Sequence, residues 1–184
     1  MRKDFGPKTW LYPMPVLMVG TYDENGKANL MNAAWGGIYN TNQIVICLDV
    51  SHKTTDNIKL TKAFTVSVGN VKNVVACDYC GLVSGKTDPN KMEKSGFTWT
   101  KSEKVNAPLF TELPFTLECK LVKIIDECIV GEIVNVSADE SILDEKGNVD
   151  VNKLEPITYD SINHDYIKLG EKIGKAFQDG LKLK

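Results

Sequence analysis

Histidine is nearly absent from this chain of 184 residues: only His52 and His164 occur. There is no H-E-x-x-H pair and no G-x-S-x-G, so neither a zinc-protease nor a serine-hydrolase signature is present. A basic excess is missing too, since 22 Lys and Arg stand against 24 Asp and Glu, for a formal net charge of -2. A general nucleic-acid surface needs the opposite balance to neutralise phosphates. No apolar run approaches the roughly 18 residues of a membrane span. The charged start, MRKDFGPKTW, leads into no signal-peptide core. Five cysteines occur, Cys47, Cys77, Cys80, Cys119 and Cys128. An odd number in a mid-sized chain argues against a disulfide framework, so most of them read as reduced core residues of a cytoplasmic protein. No residue is singled out as catalytic or as a metal ligand.

What is present suits one ordinary domain over residues 1–184: hydrophobic residues make up 42% and charged residues 25%. MPVLMVGTY is an apolar, β-branched run, and DENG after it carries Asn-Gly, a strong hairpin signal. Lys27 to Ala34 should return as a strand, and QIVICLD is another. SHKTTDNIKL predicts a brief helix capped at Thr54 or Thr55, followed by a strand, AFTVSVG. NVKNVVACDYCG predicts a helix stopped by Gly81, and DPNKMEKSG a short one stopped by Gly96. FTLECKLVKI and CIVGEIVNV form a long hairpin about Asp126-Glu127, with a polar hairpin-like stretch, DESILDEKGNVD, behind it. In DYIKLGEKIGKAFQDGLK, Tyr166, Leu169, Ile173, Ala176, Phe177 and Leu181 fall at helical spacing, which predicts a closing amphipathic helix. Strands do not alternate with long helices, so the fold class is mainly β with short helices, and a small antiparallel barrel is the economical form.

Three stretches carry possible chemistry. ANLMNAAWGG follows a hairpin signal with alanines and glycines where a packed strand would carry Val or Ile, as if something flat lay against its backbone. Ser51 to Asn57 offers three hydroxyls (Ser51, Thr54, Thr55), His52, Lys53 and a helix start, which together suit a phosphate. The same residues also suit an ordinary capped helix. CGLVSGKTDPNKM places Ser84, Gly85, Lys86 and Lys91 in a cationic loop, a pattern shared with solvated surface loops. Cys77 and Cys80 form C-x-x-C, but at a helix end, where the dipole would raise a thiol pKa. A packing role fits them better than a redox or metal one.

Taken in order, these stretches resemble the flavin reductase-like family of FMN-binding split barrels, in particular its flavoredoxin branch. PMPVLMVGTYDENGKANLMNAAWGG is similar to the family's opening hairpin and flavin strand, LDVSHKTTDNI to its phosphate segment, and CGLVSGKTDPNKM to its G-x-x-S-G-x-x-x-x-K loop. APLFTELPFTLECKL resembles a later strand and DYIKLGEKIGKAF the closing helix. The resemblance implies a six-stranded antiparallel split barrel of Greek-key type with a C-terminal helix. It also implies a homodimer with the site near the subunit interface, and non-covalent FMN. The activity implied is that of an oxidoreductase or electron carrier, fed by NAD(P)H or by a redox protein such as a ferredoxin. A non-enzymatic flavin module and a C-x-x-C dithiol protein are the alternatives. Carried onto this sequence, the implied cofactor contacts come from Asn29, Met31, Asn32, Ala33, Ala34 and Trp35 on the flavin strand. The phosphate segment adds Asp49, Val50, Ser51, His52, Lys53, Thr54 and Thr55, and the loop adds Ser84, Gly85, Lys86 and Lys91. No membrane or nucleic-acid partner is implied. No G-x-G-x-x-G follows a strand, so the electron donor stays open.

Overall fold

The computed structural model describes residues 1–184. A two-residue strand, β1 (Met14–Pro15), precedes β2 (Leu17–Tyr22) and β3 (Ala28–Ala33), which form the expected hairpin. In its DENG turn Gly26 takes a φ of 72°, a conformation glycine adopts without steric cost. The Asp23 carboxylate tightens the turn by accepting from the Asn25 and Lys27 amides at 3.0 and 2.9 Å. β4 (Gly36–Asn40) and β5 (Gln43–Cys47) make a second hairpin, and helix α1 (Lys53–Thr61) leads into β6 (Ala63–Val68). Helices α2 (Val74–Leu82) and α3 (Lys91–Ser95) follow, then a small pair, β7 (Trp99–Lys101) and β8 (Pro108–Phe110). The longest elements are β9 (Phe115–Ile125) and β10 (Cys128–Ala138), paired about Asp126-Glu127. Helix α4 (Val151–Leu154) leads to β11 (Ile157–Asp160) and β12 (Asp165–Lys168), which form a three-stranded sheet with β1.

Seven strands in the order β3-β2-β6-β9-β10-β5-β4 make the main sheet, antiparallel throughout. Its two edges, β3 and β4, are consecutive in the chain and separated only by Ala34 and Trp35. One bent segment therefore supplies both borders of the curled sheet, and counting it once gives the six strands of the split barrel. Gly36 lets the borders converge: a Cβ there would stand 2.6 Å from the Val45 carbonyl oxygen and 2.8 Å from Leu17 Cδ1. Part of the small-residue character of ANLMNAAWGG thus answers to this closure. Inside lie Val19, Ile46, Ile58, Phe64, Val66 and Cys119. A second cluster, including Met18, Leu30, Cys77, Cys80, Phe97 and Phe110, joins the barrel wall to α2 and the segments after it.

Several expectations need correction. The closing helix does not form: Asp165–Lys168 pairs with β11 as β12, and the rest is an irregular arm ending in a 3-10 turn at Asp179–Leu183. Gly170, Gly174 and Gly180 interrupt the helical pattern, each at roughly 1 kcal/mol relative to alanine. Ile173 and Phe177 of the apolar stripe stay fully exposed. Most of the cysteines are reduced, as the sequence suggests, but two are not. Register places Cys47 of β5 directly opposite Cys128 of β10, with Cα atoms 4.2 Å apart, and the two form a disulfide. Cys77, Cys80 and Cys119 are free and buried as expected. Helix α1 starts after His52 without a side-chain cap, because Thr55 donates instead to the Asp49 carbonyl at 2.8 Å. Helix α2 runs past Gly81 to Leu82. No helix is long and apolar enough to cross a membrane.

Candidate functional site

Strand β3 is hydrogen-bonded only on its β2 side. Against it pack the start of α1, the end of α2 and the loop from Val83 to Asn90, and they enclose a cleft of about 220 Å³. Eight expected residues line it: Asn29 and Met31 of β3, His52 just before α1, Lys53 and Thr54 of α1, Ser84 and Gly85 of the loop, and Lys91 of α3. Cys80, Gly81, Leu82 and Val83 complete the lining. A second depression of about 240 Å³ continues it past Asp23 and Lys27, sharing Asn29, Lys53, Gly85 and Lys91. A roomier surface depression, about 680 Å³, lies instead at the far end of α1 among Lys62, Lys101, Lys104 and Lys120. None of the expected site residues reaches it.

Three lysines approach the cleft, and their partners differ. Lys53 Nζ is 3.0 Å from the buried Asp23 carboxylate. Burial opposes the charge on Asp23, but the Lys27 amide, the Lys53 ammonium and the Asn25 amide outweigh it and hold the carboxyl below its usual range. Lys86 Nζ lies 2.7 Å from Asp56 and also reaches the Ser51 carbonyl, which draws the loop over the start of α1. Lys91 is 4% exposed and forms no ion pair; its Nζ donates to the Cys80 carbonyl at 2.8 Å. Burial pushes its pKa below the ordinary amine range, with the nearby Cys80 thiol acting the other way. A buried cation without an anion is costly unless something compensates it. In the same cleft His52 Nδ1 is buried with no hydrogen-bond partner. Asn29 donates to Thr54 Oγ1 at 3.0 Å, and a Cβ on Gly85 would come within 2.6 Å of Asn29 Oδ1. The loop backbone can therefore settle onto β3 only because residue 85 is glycine. A free ammonium, an orphaned imidazole nitrogen and a close loop backbone together fit the phosphate of a flavin nucleotide.

The other expected residues lie around the cleft rather than in it. Asn32 turns toward α2, donating to the Cys77 carbonyl at 3.2 Å and the Tyr166 hydroxyl at 3.1 Å. Tyr166 in turn donates to Asp78 at 2.8 Å, and its own pKa is driven well above the usual phenol range by burial and by that carboxylate. Ala33 packs in the barrel core, while Ala34 and Trp35 border a separate groove with Trp10 and Leu11. Asp49 organises the loop, accepting from the Ser51 amide at 2.7 Å, and Val50 is exposed. The hydroxyl of Thr55 is committed to the backbone. Asp23, Tyr166 and Cys80 to Val83 escaped the sequence reading. The acid in the DENG turn was the available signal for Asp23, and the first half of CGLVSG for the lining of α2. Cys77 and Cys80 face the core, where burial raises their thiols to about 12 and about 11. No group of three or more His, Cys, Asp or Glu side chains could hold a metal ion.

Residues 10–161 match the model of the flavin reductase like domain. The flavoredoxin of Desulfovibrio vulgaris (Miyazaki F) is 36% identical, with 98% of this chain and 100% of that one aligned and a TM-score of 0.94. A flavoredoxin from Methanosarcina acetivorans is 29% identical over 100% of both chains, with a TM-score of 0.90. The FMN-binding domain of a flavin reductases-like enzyme from Shewanella baltica shares the fold at 20% identity, 88% coverage of each chain and a TM-score of 0.79. With the domain match spanning most of the sequence and the split barrel closed at Ala34–Trp35, the chain belongs to the flavin reductase-like domain family, on its flavoredoxin branch.

Proposed function

We propose that the protein is an FMN-dependent oxidoreductase or electron carrier that binds its flavin non-covalently in the cleft between β3, α1 and α2. The observation that carries this reading is Lys91, a buried ammonium with a carbonyl but no carboxylate beside it. Lys91 and His52 would hold the phosphate, and Ser84, Gly85 and Lys86 would close the loop over it. Asn29 and Thr54 fix each other at the base of the cleft. The free outer edge of β3 offers backbone groups that a second β-strand would otherwise occupy. When bound, the flavin supplies the electron chemistry, and the chain supplies position and electrostatics. Homodimerisation, a cytoplasmic location, and electrons from NAD(P)H or a redox protein belong to the same reading. Colour tests it. The purified protein should be yellow, or become so with added FMN, and the flavin should leave on denaturation. A protein that stays colourless at saturating FMN would defeat the reading, while steady NADH or NADPH oxidation would separate an enzyme from a carrier.

A further inference from the structure

Of the five cysteines, Cys47 and Cys128 are partly exposed, whereas Cys77, Cys80 and Cys119 are buried. Their disulfide is not what keeps β5 on β10. Four further rungs, from Ile46↔Ile129 to Gln43↔Glu132, hold that pairing through the backbone. The bridge sits on the last rung, where β5 ends and the chain turns toward α1. Two neighbouring segments are tied to this rung. The Cys47 amide donates to the Trp35 carbonyl at 2.8 Å, just past β3, and the Leu48 amide to the Glu127 carbonyl at 2.9 Å. From Leu48 the chain runs through the exposed Asp49, Val50 and Ser51 to His52, which lines the cleft. The Ser51 and His52 amides bond back to Asp49, at 2.7 and 3.1 Å, so this run is folded on itself. Thr55 of α1 and the Lys86 ammonium hold it on one side, and the bridged rung holds it on the other.

We propose that Cys47–Cys128 is a redox-active disulfide, opened by small dithiols, whose state governs how firmly the segment from Asp49 to His52 holds the flavin phosphate. The part concerning phosphate rests on the flavin reading above. In the opening step the thiolate of a dithiol attacks one sulfur of the bridge, forms a mixed disulfide and releases the other cysteine. The second thiol of the dithiol then closes a ring on the first and releases the remaining cysteine. The dithiol loses two electrons and two protons, and Cys47 and Cys128 gain them as thiols. Partial exposure gives the attacking group its access. Charge selects that group: Asp49, Asp126 and Glu127 lie within two residues of the bridge, and no Lys or Arg does. Anionic thiols such as glutathione are repelled there, and an uncharged dithiol is not. With the bridge open the ladder still pairs, but its last rung is free to fray, and the run to His52 loses its covalent anchor. Binding and redox state are then linked in both directions. Whatever factor reduction removes from FMN affinity, bound FMN adds to the resistance of the bridge to reduction.

The test is the full chain, equilibrated with oxidised or reduced dithiothreitol, freed of it, and titrated with FMN and with riboflavin. Reduction should weaken FMN about fivefold or more and riboflavin far less, with the circular dichroism unchanged. Alkylation of the folded protein should label Cys47 and Cys128 after reduction and neither before. At a fixed dithiothreitol couple, saturating FMN should lower the ratio of open to closed bridge by the same factor. Cys47→Ser with Cys128→Ser should bind FMN as the reduced chain does, whatever the dithiol. Without flavin, hydrogen exchange at the amides from Leu48 to His52 should quicken on reduction. Equal FMN affinity in the two states, equal losses of FMN and riboflavin, unchanged exchange at those amides, or a bridge that opens only when the protein unfolds would overturn the proposal. A chain that binds no FMN in either state, yet opens its bridge while folded and loosens from Leu48 to His52, would sink the flavin reading and leave the redox-active bridge standing.

Discussion

Replacing Lys91 with methionine should weaken FMN binding while leaving the empty fold at least as stable. The two effects have opposite signs because Lys91 is buried with only the Cys80 carbonyl for a partner. Taking an ammonium out of water costs several kcal/mol when no anion compensates it. Methionine, of similar length, removes that cost. With a phosphate in the cleft the balance reverses: a charge-assisted contact is worth about 1.5–3 kcal/mol, or about 10- to 150-fold in affinity. Titration should therefore show Lys91→Met losing FMN by that factor and riboflavin, which has no phosphate, hardly at all. Lys53→Ala should behave differently, since it strands the buried Asp23 carboxylate and costs about 1–3 kcal/mol of fold stability. The pH dependence follows from the direction of the Lys91 shift. With a folded pKa below the unfolded one, the unfolded chain binds more protons in between. Stability of the empty protein then rises as pH climbs toward the ordinary lysine value of about 10.4. FMN affinity should fall across the same window, and both trends should vanish in Lys91→Met. Equal losses of FMN and riboflavin, or a larger phosphate-selective loss in Lys53→Ala, would refute the assignment.

Gly36→Ala should lower stability by about 1–3 kcal/mol, read as a drop in thermal midpoint, because the new Cβ meets the Val45 carbonyl at 2.6 Å. An unchanged midpoint would mean that the barrel borders are not in contact there. Replacing Cys77 and Cys80 together with alanine should leave flavin content and reduction rate nearly unchanged, since both thiols are buried and their pKa values are raised. Lost turnover with normal FMN binding would instead show a dithiol relay.

Local chemistry made much of the architecture legible in the sequence. The DENG turn, the alternation in AFTVSV and the glycine stop at Gly96, with a φ of 73°, each depend on neighbours a few residues away. What pairs across distance was hidden. Nothing in the spacing of Cys47 and Cys128 announces that β5 and β10 bring them face to face. The arm shows the converse failure. Its apolar periodicity is real, but periodicity describes a face that wants covering, and this chain folded alone provides no cover. In the site, residue type was legible and partnership was not. Lys53, Lys86 and Lys91 look alike on paper, and only the fold shows that two are neutralised by Asp23 and Asp56.

The bent segment β3–β4 also shapes how the barrel assembles. Each of its halves forms a short hairpin with its immediate neighbour, β2 on one side and β5 on the other, and β9–β10 is a third. Hairpins of this kind close in about 1–10 μs. The difficult join is β5 to β10, whose partners Cys47 and Cys128 stand 81 residues apart. Relative to a five-residue turn that is about four doublings of loop length, or about 2.5 kcal/mol more lost chain entropy. The search problem in folding is thus concentrated in the joins between preformed hairpins: β5 to β10, and the placing of β6 between β2 and β9, whose partners stand 45 to 57 residues apart.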